Sequence, residues 1–166
     1  FAVDSSGSMY SNDRYDVRIT ASQSFVSKMG DSDKGAVVDF DDRAKLLTSM
    51  TNNKEILNDA LSKIDDSGGT NLSVGFSLAL EQYSDEEAKR LMIFLTDGDG
   101  TWNKDLIDLA IDKDVTVFTV GLGSSVNATK LVEMATRTGG LYFPAQNARI
   151  HLFLCASVAQ QDRLAG

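Results

Sequence analysis

Hydrophobic and polar positions alternate between two patterns along the chain. Short, largely apolar runs, which are typical of strands, occur at residues 1–4, 36–40, 44–49, 91–96, 115–120 and 141–143. The run at 91–95 is apolar throughout, as expected for a strand that is covered on both faces. The pattern therefore predicts six strands, most of them in a parallel sheet.

Between these runs, apolar residues recur with the three- and four-residue spacing of one helix face. Five such stripes cover residues 17–29, 57–64, 72–83, 102–110 and 131–135. The first two are followed by Gly30 and Gly68, and glycine commonly ends a helix. A further stripe predicts a closing helix, and its members are Ile150, Phe153, Leu154 and Val158.

Strands that alternate with helices predict a doubly wound α/β fold, with a mostly parallel central sheet and helices on both faces. One link breaks the alternation, because the short polar segment at Asp41 and Asp42 joins two strands directly and predicts a hairpin. We therefore expect one antiparallel edge strand. No linker interrupts the sequence, so residues 1–166 are predicted to form a single domain.

Charge limits the classes of partner. The chain carries 16 Lys and Arg residues against 24 Asp and Glu residues, a formal net charge of −8. Nucleic acids and anionic membrane surfaces attract basic proteins, so we expect neither as a partner. No apolar run approaches the ~20 residues that a membrane-spanning helix needs, so direct membrane insertion is not expected either.

Three separate segments offer oxygen ligands next to predicted strand ends or helix starts. Asp4, Ser6 and Ser8 follow the first strand, Thr70 precedes a helical stripe, and Asp97 follows the run at 91–96. In doubly wound sheets, ligands bind beyond the carboxyl ends of the strands, where the strand order reverses. The three segments are therefore predicted to meet at one site.

The residue types at this site suit a hard cation. Mg²⁺ takes oxygen ligands in near-octahedral geometry, so a few carboxylates with neutral hydroxyls suffice, whereas Ca²⁺ prefers a larger number of oxygens. Zinc and redox metals favour thiolate or imidazole. The chain has one cysteine, Cys155, and one histidine, His151, both on the predicted closing helix, and we assign them no function.

The motif Asp4-Ser5-Ser6-Gly7-Ser8, followed by Thr70 and Asp97, resembles that of the von Willebrand factor A (vWA) domain. In this family the metal-ion-dependent adhesion site (MIDAS) is written Asp-x-Ser-x-Ser, then Thr, then Asp, and all five positions match. The resemblance extends to the order of elements and to residues 120–123. It implies the Rossmann-like vWA fold.

The resemblance also implies a bound divalent cation, usually Mg²⁺ or Mn²⁺, with Ca²⁺ as a further possibility. Ser6, Ser8 and Thr70 would hold it directly, and Asp4 and Asp97 directly or through water. In adhesive members of the family, a carboxylate of a protein partner fills the open coordination position. Hydroxyl ligands add no charge, so the cation stays electrophilic enough to attract that carboxylate.

Specificity in such a module would come from side chains around the cation. The candidates for this rim are residues 9–13, Asn71 and residues 99–103, with Met9, Tyr10, Asn71, Asp99 and Trp102 foremost among them. The spacing of Trp102 to the apolar residues that follow it favours packing, and Asp99 is more typical of a turn residue. These rim assignments are predictions from position alone.

Two other functions remain open at this point. A metal-dependent phosphohydrolase also begins with an aspartate after the first strand, but Ser6 stands where its second acid is usual, so we expect no enzyme activity. The second alternative is an intracellular vWA protein that serves as an adaptor of an ATPase or chelatase, and it is compatible with the sequence. The chain has no Gly-x-x-x-x-Gly-Lys loop of its own, so nucleotide chemistry would belong to that partner.

The setting is expected from the resemblance rather than from a targeting segment. The sequence begins with Phe1 inside a predicted strand, so we expect a piece of a larger protein whose other domains are partners in the same polypeptide. Adhesive members of the family predict an extracellular or cell-surface location.

Overall fold

A computed structural model describes residues 1–84, 88–124 and 126–145 of the chain. The closing helix predicted around Phe153, together with Cys155 and His151, lies outside these residues. No helix in the described ranges has the length and apolar character needed to cross a membrane.

Six strands and six helices make up the described part of the chain. The strands are β1 (Ala2–Asp4), β2 (Gly35–Phe40), β3 (Ala44–Thr51), β4 (Arg90–Thr96), β5 (Val115–Leu122) and β6 (Tyr142–Ala145). The helices are α1 (Met9–Asn12), α2 (Val17–Lys28), α3 (Lys54–Leu61), α4 (Leu72–Leu80), α5 (Asp105–Asp112) and α6 (Ala128–Arg137).

All six strands form one sheet in the order β3-β2-β1-β4-β5-β6. Among the strands that the structure describes, only the β2–β3 pair is antiparallel, so the predicted antiparallel edge strand and the mostly parallel sheet are confirmed. The strand order reverses between β1 and β4, whose carboxyl ends carry Asp4 and Asp97. The predicted site therefore lies at the topological switch point, where sheets of this type bind ligands.

The β2–β3 turn and the edge strand β6 have local features that fit their places in the sheet. In the β2–β3 hairpin, the amide of Arg43 donates to Asp41 Oδ1 at 2.7 Å and the amide of Asp41 donates to the Arg43 carbonyl at 2.9 Å. Pro144, which lacks a backbone donor, lies in β6 at the opposite edge. Each of the four inner strands, β2, β1, β4 and β5, pairs with a neighbour on both sides.

Helices cover both faces of the sheet, because successive strand residues point to opposite sides. Ala2, Met92 and Phe94 face a cluster with α4, α5 and α6, whereas Val3, Ile93 and Leu95 face one with α2 and α3. The continuous apolar run of β4 is needed because both of its faces are buried.

Three local features differ from the predicted stripes. The helix α1 was not predicted, since four residues are too short to show a period. Tyr83 lies beyond the end of α4 at Leu80, and its hydroxyl donates to the Leu91 carbonyl at 2.6 Å. Trp102 precedes α5 and packs against the core from the loop. In the last two cases an apolar residue next to a helix extended the apparent stripe.

Candidate metal centre

Asp4 is fixed at the floor of the site by its two carboxylate oxygens. Oδ1 accepts from the Ser6 amide at 2.8 Å, and Oδ2 accepts from Thr96 Oγ1, at the end of neighbouring β4, at 2.5 Å. The residue is fully buried. Burial raises the pKa of Asp4 to about 6, although these hydrogen bonds oppose the shift, and the charge of Asp97 adds slightly to it.

Two serine hydroxyls extend from Asp4 toward the next strand. Ser6 Oγ lies 3.2 Å from Ser8 Oγ, and Ser8 Oγ donates to Asp97 Oδ2 at 2.6 Å. The β1–α1 loop (residues 5–8) and the β4–α5 loop (residues 97–104) are therefore joined through side-chain oxygens. Four of the five predicted ligands form one connected group of oxygens.

Thr70 is brought to the same place by the α3–α4 loop (residues 62–71). The Ser67 amide donates to the Ser5 carbonyl at 2.7 Å, and the Gly7 amide donates to the Gly68 carbonyl at 3.1 Å. These bonds hold the α3–α4 loop against the β1–α1 loop. Within the described residues, the Thr70 hydroxyl makes no hydrogen bond, so its oxygen is available to a ligand.

A close backbone approach joins the α3–α4 loop to the β4–α5 loop. The Thr101 amide donates to the Thr70 carbonyl at 3.3 Å. Gly100 has φ +129°, and a Cβ atom there would lie 2.6 Å from the Thr70 carbonyl oxygen. Only glycine fits this position without displacing the threonine, so the glycine sets how closely the two loops approach.

The three loops enclose an open cleft of about 320 Å³, and its lining residues are Ser8, Asn12, Thr70, Asp97, Asp99 and Gly100. Asn12 lies in the predicted rim segment 9–13, but it was not predicted as a partner of the ligands. Its Nδ2 donates to Asp97 Oδ2 at 2.9 Å, so it shares that oxygen with Ser8. An asparagine placed four residues after Ser8, one turn along a short helix, is the signal that could have identified it.

The donor set fits a hard divalent cation. It consists of oxygen atoms only, from two carboxylates and three hydroxyls: Asp4, Asp97, Ser6, Ser8 and Thr70. In the described part of the chain, no group of three or more His, Cys, Asp or Glu residues could hold a metal ion. A cation in this cleft therefore needs hydroxyl oxygens beside the carboxylates, a combination that suits Mg²⁺.

The predicted rim residues have different surroundings. Tyr10 is 75% exposed, and Asp99 is exposed on the border of the cleft. Asn71 caps α4, because its side chain accepts from the Ser73 amide at 3.1 Å. The Trp102 ring packs edge-on against Phe76 with centroids 5.1 Å apart, in keeping with the packing role that its spacing favours.

Met9 cannot belong to the rim. Its side chain is fully buried in the cluster between the sheet and helices α2 and α3. The first turn of α1 directs Met9 inward while Tyr10, the next residue, faces solvent. The prediction for Met9 was wrong because position in a loop sequence does not reveal the direction of a side chain.

Comparisons with known proteins agree with this architecture. Over 155 residues, the chain is 29% identical to the uncharacterized protein YfbK of Escherichia coli (strain K12). The match covers 86% of this chain and 27% of YfbK, so the chain spans about a quarter of that relative's length.

Two solved structures are similar in fold. An aerotolerance-related membrane protein from Bacteroides fragilis NCTC 9343 superimposes with a TM-score of 0.84 at 16% identity, over 95% of this chain and 96% of that one. Proximal thread matrix protein 1 from the mussel byssus, solved with a zinc-occupied MIDAS motif, superimposes with a TM-score of 0.78 at 22% identity. That match covers 95% of this chain and 44% of the mussel protein.

The family comparison covers most of the sequence. The sequence-family model of the von Willebrand factor type A domain matches residues 1–153, which include all three loops of the cleft. Together with the strand order and the position of the cleft at the switch point, this match assigns the family. The chain belongs to the von Willebrand factor type A domain family.

Proposed function

We propose that this domain is a binding module that holds a divalent cation, Mg²⁺ foremost, and binds a carboxylate of a protein partner through it. vWA domains mediate protein–protein interactions. In this proposal, the bound cation makes the contact with the partner. One observation carries the proposal: Ser8 Oγ and Asp97 Oδ2 lie 2.6 Å apart across two loops, and Thr70 of a third loop lines the same cleft.

The proposed ligands divide into two kinds. Ser6, Ser8 and Thr70 supply neutral oxygens directly, and Asp4 and Asp97 supply negative charge directly or through water. Two carboxylates balance the charge of a divalent cation without exceeding it, so the bound cation still attracts a further carboxylate. The open side of the cleft gives that carboxylate access.

The identity of the cation is part of the proposal. An all-oxygen set with three hydroxyls favours Mg²⁺ or Mn²⁺ over Ca²⁺, which takes six to eight ligands. The mussel protein with zinc in its MIDAS motif shows that a domain of this fold can accept a softer ion. Zinc therefore belongs among the cations to be tested.

We propose binding rather than catalysis. An aspartyl-phosphate enzyme needs a general acid close to its nucleophile, and Ser6 is the residue two positions after Asp4. The site is proposed to act outside the cell or on its surface, within a larger adhesive protein. An adaptor role inside the cell would use the same cation and carboxylate, and the flanking domains would distinguish the two settings.

A thermal melt tests the cation site. The protein is unfolded in EDTA and then in excess Mg²⁺, Mn²⁺, Ca²⁺ or Zn²⁺, beside the variants Asp97→Ala and Ser8→Ala. A cation at 100 times its dissociation constant adds about 2.7 kcal/mol, which raises the melting temperature by several degrees for a domain of this size. Asp105→Ala, which removes an exposed carboxylate at the start of α5 and outside the lining of the cleft, serves as the control.

We expect the melting temperature of the wild type and of Asp105→Ala to rise with the cation, and that of Asp97→Ala and Ser8→Ala to stay unchanged. Equal shifts in all four proteins would place the cation elsewhere. A second assay measures binding to immobilised peptides that contain Asp or Glu, in Mg²⁺ and in EDTA. Capture that is the same in both buffers would contradict the proposal that the cation bridges the partners.

A further inference from the structure

A fully buried arginine links two of the segments that lead to the cleft. Arg18, in the first turn of α2, has no exposed side-chain surface, yet its guanidinium carries a full charge. Its Nη1 donates to Asp13 Oδ2 at 2.8 Å. Its Nη2 donates to the Asp65 carbonyl at 3.2 Å and forms an ion pair with Asp66 Oδ1. The guanidinium thus contacts two separate segments of the chain.

The first of these segments follows the β1–α1 loop. Asp13 ends α1 and is buried, and its carboxylate also accepts from the Val17 amide at 2.7 Å and from the Arg18 amide at 3.0 Å. With three donors, this carboxylate cannot rotate freely. Asp13 therefore fixes the guanidinium relative to α1, which begins directly after Ser8.

The second segment is the α3–α4 loop, which carries Thr70. Asp65 and Asp66 lie four to five residues before Thr70, and the Asp66 side chain is 25% exposed. The loop has no regular secondary structure between α3 and α4, so its position depends on such contacts. Two backbone hydrogen bonds to the β1–α1 loop hold it near Ser67 and Gly68, and Arg18 adds a charged link.

We propose that Arg18 is a positioning residue of the cation site: it ties the α3–α4 loop to α1 and so sets where Thr70 lies relative to Ser6 and Ser8. This inference rests on the proposed cation binding. The guanidinium does not repel a cation appreciably, because the carboxylates of Asp13 and Asp66 outweigh its single charge. Mutation of residues that contact and orient the ligands of a metal typically weakens the metal affinity by about 10- to 100-fold.

A purely structural role for Arg18 makes a different prediction. A buried ion pair that loses one partner destabilises the whole fold, whatever the cation site does. Asp66 is the better target for mutation, since it is partly exposed and its removal leaves the Arg18–Asp13 pair intact. The distinguishing quantity is the coupling between Asp66 and Thr70 in cation affinity, which a double-mutant cycle measures.

The experiment measures the Mn²⁺ dissociation constant by calorimetry for the wild type, Asp66→Ala, Thr70→Val and the double variant. Each protein is measured well below its melting temperature in EDTA, so that only folded protein is compared. Asp66→Ala should weaken binding about tenfold or more. The double variant should bind as weakly as Thr70→Val alone. Once the hydroxyl at position 70 is absent, the position of that residue no longer affects the cation affinity.

Asp65→Ala is the matched control. It removes the same charge one residue earlier, but Arg18 contacts the carbonyl of Asp65 and not its carboxylate, which accepts only from Ser67 Oγ at 3.3 Å in the described structure. We expect Asp65→Ala to bind Mn²⁺ within about twofold of the wild type. Arg18→Lys, which keeps the charge but loses the two-armed contact, should weaken binding as Asp66→Ala does.

Three results would overturn the inference alone: Asp66→Ala binding like the wild type, equal weakening by Asp65→Ala and Asp66→Ala, or a double variant that shows the sum of both losses. A wild type that binds no Mn²⁺ would overturn the proposed function, and this inference with it. The two failures are therefore distinguishable.

Discussion

Lowering the pH from 7 to 5 should weaken cation binding, because a proton competes with the cation for Asp4. This carboxyl is fully buried at the end of β1, and burial raises its pKa to about 6. The cation favours the ionised form of Asp4, whether the carboxylate contacts it directly or through water.

The expected magnitude follows from the pKa. At pH 7 the Asp4 carboxyl is mostly ionised, and at pH 5, which is one unit below a pKa of about 6, about nine in ten molecules carry the proton. The apparent dissociation constant for Mg²⁺ or Mn²⁺ should therefore rise about tenfold between pH 7 and pH 5. This corresponds to about 1.4 kcal/mol of binding free energy.

Calorimetric titration with Mn²⁺ at several pH values between 4.5 and 7.5 measures this dependence. Asp4→Asn is the control, since its residual affinity should vary little over the same interval. A dissociation constant that is equal at pH 7 and pH 5, or one that changes only below about pH 4, would refute the reasoning. Either result would mean that Asp4 is ionised before the cation arrives.

The Asp4 carboxyl also affects the stability of the cation-free protein. Its ionised form lowers the free energy of unfolding, which is the opposite of the effect of an ordinary surface aspartate. Its pKa is raised from 3.8 to about 6 on folding, so the folded state binds the proton more tightly than the unfolded state. The ionised carboxyl therefore destabilises the fold above pH 6, by about 3 kcal/mol, and this penalty disappears as the pH falls from about 6 towards 4. In EDTA, Asp4→Asn should remove this dependence.

Three further changes have defined outcomes. Gly75→Ala would place a Cβ atom 2.3 Å from Phe40 Cγ, so urea unfolding should show a loss of about 1–3 kcal/mol, and an unchanged midpoint would contradict the close packing of α4 on the sheet. Asn12→Ala removes the amide donor to the carboxylate of the β4–α5 loop, and calorimetry should show about tenfold weaker Mn²⁺ binding, whereas wild-type affinity would show that the amide is dispensable. Tyr10→Ala should change the free energy of unfolding by less than about 0.5 kcal/mol, because Tyr10 is 75% exposed. Trp102→Ala should lower it by at least about 2 kcal/mol, because Trp102 packs on the core. A larger loss for Tyr10→Ala than for Trp102→Ala in urea unfolding would contradict both assignments.

The sequence was sufficient to predict the fold because all six strands and every described helix except the four-residue α1 show a recognisable hydrophobic pattern. The apolar run of β4 indicated a strand buried on both faces, and the two aspartates between β2 and β3 indicated the antiparallel hairpin. Both features are local. The proximity of the candidate ligands was predictable for a related reason: Asp4 ends one strand and Asp97 follows another, and the topology places these two strands side by side.

Features that depend on side-chain direction or on contacts distant in sequence were not predictable. Met9 and Tyr10 are neighbours, yet one is fully buried and the other is 75% exposed. Arg18 looks like one more polar residue of an amphipathic helix, and only the structure shows that it contacts Asp66, 48 residues away. The contact between Asn12 and Asp97, 85 residues away, is likewise seen only in the structure.

The most direct test of the account is a crystal structure of the protein grown with Mn²⁺, with anomalous difference density recorded near the manganese edge. The account predicts a single strong peak in the cleft at the carboxyl ends of β1 and β4, at bonding distance of about 2.2 Å from the hydroxyl oxygens of Ser6, Ser8 and Thr70. Strong density at another place on the molecule, or a cleft without density at saturating Mn²⁺, would contradict it.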